Sequence, residues 1–345
     1  MLAPLLLVGC WDERLFKNSS VVSLAGFEGE MGDIKGYYAY PQATSKEMKS
    51  KVIIGKGKSP RDVRQDAELK TEQTMDLSIL ATMLISEKTA EEDIYEYLDV
   101  YFRESTNPLT PRLAIVQGEL KPFFEMAEQT ETTTGEFYNR FIQSLEENSL
   151  VIPYTLQTAG SILFETAQDL ALPQLKMSDE DEPVLAGIAL FSGRALSGET
   201  LTAEHGVLLS ILNNSLGKSA RITYLYNNSP VSIRVNKVSR KLNVTEGKIE
   251  IGQKIKITII EFPQETLKDK KVRDDVEKFL TNKIEKDLNE VMKVLRKAKC
   301  DAIGLGRNVR AYHTNFYKKD WNEHFATLDI PIKVELEILK TGILY

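Results

Sequence analysis

The segment with the most specific chemistry is Leu7-Val8-Gly9-Cys10, close to the first residue of the chain. It matches a bacterial lipobox, in which a diacylglycerol alkylates the cysteine thiol and a signal peptidase then cuts before the cysteine. The apolar run over residues 2–8, followed by the small Gly9, is typical of the tail of a secretory signal. The pattern predicts lipidation at Cys10 and makes residues 1–9 the remnant of a signal peptide.

The same ten residues have a second interpretation, in which Leu5–Val8 is a short buried strand and Cys10 is an ordinary core thiol. No Lys or Arg precedes the apolar run, although a secretory signal normally opens with a basic segment. This favours a start upstream of Met1 or a truncated sequence. Position and spacing favour the lipobox, and two acyl chains anchor a protein stably without a membrane-spanning helix.

Three histidines, His205, His313 and His324, are the residues to test for metal binding or acid–base chemistry. None of them has a second His or Cys at the spacing of metal ligands. His313 and His324 lie near Asp320 and Glu323, but in a predicted loop that lacks the helical H-E-x-x-H pattern. We therefore predict no metal site and no catalytic residue.

Two glycine segments resemble parts of nucleotide-binding loops. Gly57-Lys58-Ser59 has the ending of a phosphate loop, but Pro60 follows and no glycine lies five residues earlier, so a capped helix start is favoured. Gly304-Leu305-Gly306 is half of a dinucleotide fingerprint, and it follows a predicted helix where a strand is required. Cys300 ends that helix and is predicted to be a buried structural thiol. The sequence thus predicts no cofactor and no enzyme.

The composition is that of a folded protein with two or three domains. The chain has 345 residues, of which 42% are hydrophobic and 27% charged, and its net charge is -6. This acidic balance argues against a nucleic-acid partner, which usually meets a basic face. Two cysteines cannot form a disulfide scaffold, and no stretch reaches the roughly 20 apolar residues of a membrane-spanning helix.

Alternating strand and helix signals over residues 51–126 predict a small α/β unit. Ser59 is the expected N-cap of a first helix that continues to about Thr74, and Thr89 is the expected N-cap of a second helix. The predicted strands lie over residues 52–54, 79–85 (where a helix is also open) and 113–116.

The last part of the chain is predicted to be rich in strands. Residues 178–182 are acidic, precede Pro183 and are predicted to form a solvated linker. After them, Val184–Phe191 is a continuous apolar run, and later segments alternate apolar and polar residues with the period of a strand. Apolar residues spaced by three and four predict one long helix over Lys271–Lys299, which must lie across a sheet.

These patterns predict an α+β fold class, and the length fits two or three domains. The predicted first domain is discontinuous and combines residues 10–45 with residues 129–180. A small α/β middle domain is predicted over residues 46–128. The predicted C-terminal domain, residues 183–345, holds a large and mostly antiparallel sheet packed by the long helix.

Four segments, in order along the chain, resemble the Ger(x)C family of lipoproteins, the C subunits of bacterial spore germinant receptors. They are Cys10-Trp11-Asp12-Glu13; Gly57-Lys58-Ser59-Pro60-Arg61; Leu190–Gly198 with Leu201 and Glu204; and a tail of Asp301, Gly304, Gly306, Trp321 and Phe325 that ends at Thr341-Gly342. The chain differs from the usual family pattern at Arg14–Lys17 and near Met75-Asp76, which indicates a divergent branch.

The resemblance implies three domains, each mixed α and β. It also implies a non-catalytic lipoprotein, anchored through lipid on Cys10 to the outer face of the spore inner membrane. It implies assembly with two integral membrane subunits, an A-type and a B-type, into a nutrient receptor. Two alternatives remain open. An exported solute-binding lipoprotein needs a polar cleft between two lobes. A secreted hydrolase needs His205 or His313 within hydrogen-bond reach of a Ser and an Asp.

Overall fold

The regular elements of the described residues form two large sheets, one pair of short strands and the helices packed against them. This computed structural model describes residues 19–43, 48–126, 133–245, 248–263, 267 and 269–340. Cys10, the segment Trp11–Glu13 and Thr341-Gly342 lie outside the described residues. The architecture is mixed α+β, which confirms the predicted fold class.

The first sheet has eight strands in the order β10-β9-β8-β7-β6-β2-β3-β4. Its four central strands, β8, β7, β6 and β2, are parallel to one another, and antiparallel hairpins extend the sheet on both sides. The bounds are β2 (Leu24–Glu30), β3 (Asp33–Ala43), β4 (Met48–Gly57), β6 (Thr82–Ser86), β7 (Arg112–Val116), β8 (Ala171–Met177), β9 (Pro183–Ser192) and β10 (Ala195–Thr202). The short strands β1 (Ser19–Val21) and β5 (Thr74–Asp76) pair in parallel beside it.

Seven α-helices precede the second sheet along the described residues. They are α1 (Pro60–Glu68), α2 (Glu87–Ala90), α3 (Ile94–Arg103), α4 (Lys121–Glu125), α5 (Thr134–Glu147), α6 (Leu156–Leu163) and α7 (Gly206–Leu212). Ser59 caps α1 as predicted, because its hydroxyl accepts a hydrogen bond from the Asp62 amide at 3.2 Å. The prediction that α1 continues to about Thr74 was wrong, since Thr74 pairs with Ser19 in the two-stranded sheet.

The predicted cap at Thr89 was also wrong. Thr89 lies inside α2, where its buried hydroxyl donates to the Gly29 carbonyl at 2.9 Å. Ser86 caps α2 instead, and the carboxylate of Asp93 caps α3 by accepting from the Tyr95 amide at 2.9 Å. Tertiary contact with β2 thus decides the role of the Thr89 hydroxyl, which sequence position alone left open.

The second sheet has four strands in the order β11-β12-β13-β14. Its strands are β11 (Arg221–Tyr226), β12 (Ser229–Thr245), β13 (Lys248–Glu261) and β14 (Ile332–Lys340), and its helices are α8 (Lys270–Lys297), α9 (Leu305–Tyr312) and α10 (Trp321–Thr327). Three strands are antiparallel and β14 runs parallel to β13. The long helix α8 packs on one face of this sheet through its predicted apolar stripe, of which Val276, Leu280, Ile284, Leu288, Val291, Met292 and Leu295 are buried. The predicted long helix on a mostly antiparallel sheet is therefore confirmed.

The hairpin of β9 and β10 lies in the first sheet, not with the strands that follow it. Residues 178–182, predicted to be a linker, form the exposed turn between β8 and β9, which pair antiparallel. The apolar side chains Ile188–Phe191 are fully buried there. Strands from all three predicted segments join this sheet, and the division into domains near residues 45, 128 and 183 stays a prediction.

One contiguous hydrophobic core links the two sheets, because buried side chains of both belong to a single cluster. Between them lie the start of β8 and the segment that connects α8 to α9. This junction is where most of the family-like tail residues converge.

Candidate functional site

The junction contains a buried carboxylate at Asp301, which follows α8 and has no exposed surface. Its two oxygens accept three hydrogen bonds, from the Leu305 amide (2.9 Å), the Gly306 amide (2.6 Å) and the indole Nε1 of Trp321 (2.8 Å). The carboxylate therefore accepts hydrogen bonds from N–H groups at the start of α9 that have no partner within the helix. Its negative charge also interacts favourably with the positive end of the α9 helix dipole. It also fixes α10 through Trp321.

A second buried carboxylate, Asp169, precedes β8 and binds the same segment. It accepts hydrogen bonds from the amides of Asp301 (2.7 Å) and Gly193 (2.8 Å) and from the side-chain amide of Asn322. The backbone amide of Asp169 donates in return to the Asp301 carbonyl at 3.1 Å. We call Asp169, Asp301, Trp321 and Asn322 the junction cluster.

Burial controls the electrostatics of the junction cluster. Desolvation raises the pKa of Asp169 to about 7, although hydrogen bonds from Asn322 and the Asp301 amide favour its charged form. Desolvation also raises the pKa of Asp301, against the same kind of hydrogen bonds and the positive charge of Arg240. The Arg240 guanidinium donates to the carbonyls of Leu212 and Ile303, both at 3.0 Å.

Two glycines of the tail are required by this geometry. Gly304 has a φ of 67°, in the left-handed region that favours glycine. A Cβ atom on Gly306 would lie 2.4 Å from Nε1 of Trp321 and 2.7 Å from the Ala167 carbonyl oxygen. The Gly306 amide, which a bound dinucleotide phosphate would need, is already hydrogen-bonded to Asp301.

The segment Gly57–Arg61 is likewise occupied by the chain's own groups. The Lys58 amide donates to Asp62 Oδ2 at 2.8 Å, and the backbone amide of Asp62 donates to the Ser59 hydroxyl at 3.2 Å. A phosphate would have to displace this carboxylate. The helix-start interpretation of the segment therefore holds, and Arg61 forms an exposed ion pair with Glu104 at 3.3 Å.

The β9–β10 hairpin, which carries the third family-like segment, connects to the junction cluster and to α3. Its turn residue Gly193 has a φ of 66° and donates to Asp169. The neighbouring guanidinium of Arg194 lies 4.6 Å from the centre of the Tyr95 ring, donates to the Leu163 carbonyl and pairs with Asp93 at 3.5 Å. These contacts hold the hairpin against α3 and α6.

The histidines do not form a catalytic arrangement. His205 Nδ1 lies 3.1 Å from the Thr202 hydroxyl. His313 ends α9, and His324 lies within α10 rather than in the predicted loop, with its ring 5.7 Å from that of Trp321. Burial lowers the pKa of His324. Within the described ranges, no group of three His, Cys, Asp or Glu side chains is arranged to hold a metal ion.

Cys300 is buried and has no disulfide partner among the described residues. Burial raises the pKa of its thiol, and the carboxylates of Asp169 and Asp301 raise it further. The thiol donates a long hydrogen bond to the Leu170 carbonyl, with Sγ 3.5 Å from the oxygen. It is the structural thiol that its sequence position predicts.

A cleft of about 520 Å³ lies between α7, β11 and α8, at the edge of the second sheet. Its walls carry positive and negative side chains: the acidic residues are Glu204 and Asp287, and the basic residues are Arg221 and Lys283. Lys283 forms an ion pair with Asp287 at 3.1 Å. It supplies a polar cleft, which the solute-binding alternative needs, although it lies at the edge of one sheet and not between two lobes.

Comparison with known proteins identifies the family. A family model described as "Spore germination protein N-terminal domain" matches residues 12–177. A second, described as "Spore germination B3/ GerAC like, C-terminal", matches residues 186–342. The chain belongs to the GerAC-like family of spore germination proteins.

Relatives of this GerAC-like chain match over nearly their whole length. The putative spore germination protein YfkR of Bacillus subtilis (strain 168) is 22% identical, with 100% of this chain and 96% of the relative covered. The spore germination protein GerQC of Bacillus cereus is 20% identical, with 99% and 98% covered. The crystal structure of the GerBC protein aligns with a TM-score of 0.58 at 17% identity, covering 89% of this chain and 94% of that one, and shows the same fold.

The tail signature of this GerAC-like protein thus has a structural basis. The structure brings Asp301, Gly306 and Trp321 into direct contact, as their common membership of one signature suggests. Sequence reasoning missed Asp169 and Asn322, which complete the cluster from outside the predicted motifs. The available signal for Asp169 was its position as a charged residue directly before the short apolar run Leu170-Ala171-Leu172.

Proposed function

We propose that this chain is a lipid-anchored, non-catalytic subunit of a nutrient germinant receptor, located on the outer face of the spore inner membrane. The match of both germination family models, over residues 12–177 and 186–342, carries the proposal. The lipobox that ends at Cys10 supports the anchor, because the modified cysteine would become the first residue of the mature chain.

The proposed mechanism is confinement to the membrane. Two acyl chains on Cys10 would hold the folded part at the surface, where weak contacts with two integral membrane subunits of A and B type suffice. No helix in the described part of the chain is long and apolar enough to cross a membrane. The role without catalysis is supported by the described family-like segments, in which the amides of Lys58, Gly193 and Gly306 are hydrogen-bonded to carboxylates of the same chain.

The test replaces the lipid acceptor and leaves the fold intact. Cys10→Ala should shift the protein from the membrane fraction to the soluble fraction of spores, remove the lipid from its intact mass, and impair germination by nutrients. Cys300→Ala is the matched control, because it removes the other cysteine and keeps the lipobox. Unchanged membrane retention of Cys10→Ala would disprove the anchor.

The cleft beside β11 favours a second candidate function, binding of a small solute. Its mixed charges suit a zwitterion, with Arg221 available for a carboxylate and Glu204 for an ammonium group. Calorimetric titration with glycine and L-glutamate would test it. A binding heat that Arg221→Ala abolishes supports solute binding, and the absence of heat at millimolar ligand contradicts it for these two solutes.

A further inference from the structure

The second sheet presents one of its faces to solvent. Helix α8 covers the opposite face, where Ile251, Ile255 and Ile257 of β13 are fully buried. Alternate residues along β13 therefore point outward, as the two-residue period of a strand requires. On β12 a bulge between Val235 and Lys237 shifts the alternation by one residue, so residues 234, 237 and 241 all oppose outward-facing positions of β13. We call this surface the outer face.

Cations dominate the outer face, although the whole chain has a net charge of -6. Arg234, Lys237 and Lys241 project from β12 and are exposed. Among the described residues, no carboxylate lies within ion-pair distance of these three side chains. Lys237 is also paired in register with Lys256 of β13, which brings two positive charges side by side.

Two further lysines of the outer face are neutralised by β14. Lys254 lies 2.5 Å from Glu335, and Lys256 lies 2.8 Å from Glu337. The unpaired charge is therefore concentrated on β12, whose 17 residues make it the longest strand described. A row of unpaired, solvent-exposed cations along a long strand attracts an extended anionic surface.

Large apolar side chains lie at one end of the same sheet. Leu225 on β11, Ile260 on β13 and Leu339 on β14 are exposed by 69%, 41% and 45%. The register places all three toward the end where β13 reaches Glu261 and β14 reaches Lys340. Neighbouring strands are about 4.8 Å apart, so these three side chains are spread across the width of the sheet and do not line a single groove.

We propose that the outer face lies against an anionic phospholipid surface, with the three β12 cations on lipid phosphates and the apolar end in the headgroup layer. A flat face with scattered cations and separate exposed aliphatic side chains suits a lipid bilayer. An acidic protein partner would instead need a surface of complementary shape. The biological setting rests on the proposed membrane anchor, but the face itself does not depend on Cys10.

The size of the effect follows from the charges. A basic residue close to an anionic leaflet contributes about five-fold to membrane partitioning, and the contribution is screened by salt. Reversal of three such charges should therefore reduce partitioning by at least about 100-fold. The binding would orient the folded part on the membrane to which the lipid confines it.

The experiment uses the full chain with Cys10→Ala, so that no acyl chain contributes. Sedimentation with phosphatidylglycerol–phosphatidylcholine vesicles should retain this protein, and pure phosphatidylcholine vesicles should not. Arg234→Glu, Lys237→Glu and Lys241→Glu together should abolish retention. The control, Lys58→Glu, Lys278→Glu and Lys293→Glu, makes the same charge change at exposed lysines elsewhere and should retain binding.

Two outcomes would overturn the proposal: no retention of the Cys10→Ala chain on anionic vesicles, or equal loss in the face variant and the control variant. Leu225→Ser with Leu339→Ser should weaken the binding that remains at high salt, where charge is screened. Failure here leaves membrane retention of the lipidated wild type unaffected, so it is distinguishable from failure of the anchor.

Discussion

Trp321 donates its indole N–H to the buried carboxylate of Asp301 across 2.8 Å, and neither side chain exposes more than 1% of its surface. The two residues are 20 positions apart and lie in the segment that the C-terminal family model covers. Their bond joins the start of α9 to α10. The signature of the tail therefore encodes a connection within the fold, and its loss should appear first as lost stability.

Asp301→Ala should destabilise the protein by about 3 kcal/mol or more, because it leaves three buried N–H donors without an acceptor. Urea unfolding followed by tryptophan fluorescence would measure the change. Asp320→Ala, an exposed carboxylate just before α10, is the control and should change stability by less than about 0.5 kcal/mol. Equal effects of the two variants would contradict the role of Asp301.

Gly306→Ala should be strongly destabilising, since its Cβ would lie 2.4 Å from Trp321 Nε1 and close to the backbone of Ala167. Trp321 cannot move away without breaking its bond to Asp301, so we expect a cost of about 2 kcal/mol or more. Gly252→Ala is the matched control, because its nearest atom would be 3.8 Å away. Thermal unfolding of both variants checks the prediction.

Stability should fall with rising pH through the titration of Asp169. Its pKa is raised to about 7 in the folded state, whereas an unfolded Asp has a pKa near 3.9. Folding therefore favours the protonated form, and this contribution is complete below about pH 4 and is lost as the pH rises to about 7.

The corresponding experiment measures the free energy of unfolding at several pH values. Wild type should show a steeper decline than Asp169→Asn between about pH 5 and 6.5, with a difference of up to about 1.4 kcal/mol per pH unit. The variant also loses hydrogen bonds, so the slope is the readout rather than the absolute stability. Parallel slopes would show that Asp169 stays ionised.

Cys300 should be inert toward thiol reagents in the folded protein. In the Cys10→Ala variant it is the sole cysteine, and its burial and raised pKa keep it protonated and inaccessible at pH 8. Reaction with Ellman's reagent should be slow in buffer and complete rapidly in denaturant. Rapid labelling of the native protein would show that the junction opens readily.

Sequence patterning predicted the elements whose signals are local. The apolar stripe of α8 and the cap of α1 at Ser59 follow from spacing and residue type within a few positions. The pair of Asp169 and Asp301 could not be predicted, since the two residues are 132 positions apart and nothing local distinguishes a buried carboxylate from an exposed one. Thr89 shows the same limit, because its partner Gly29 lies 60 residues away.

The position of the β9–β10 hairpin has a consequence for how this chain can be divided. The C-terminal family model begins at residue 186, within β9, yet β9 is hydrogen-bonded to β8 of the preceding half. A fragment that starts there would carry two strands without their sheet, and the remaining half would expose the unpaired edge of β8. The two halves are thus expected to be inherited, expressed and exchanged between homologues only as one piece.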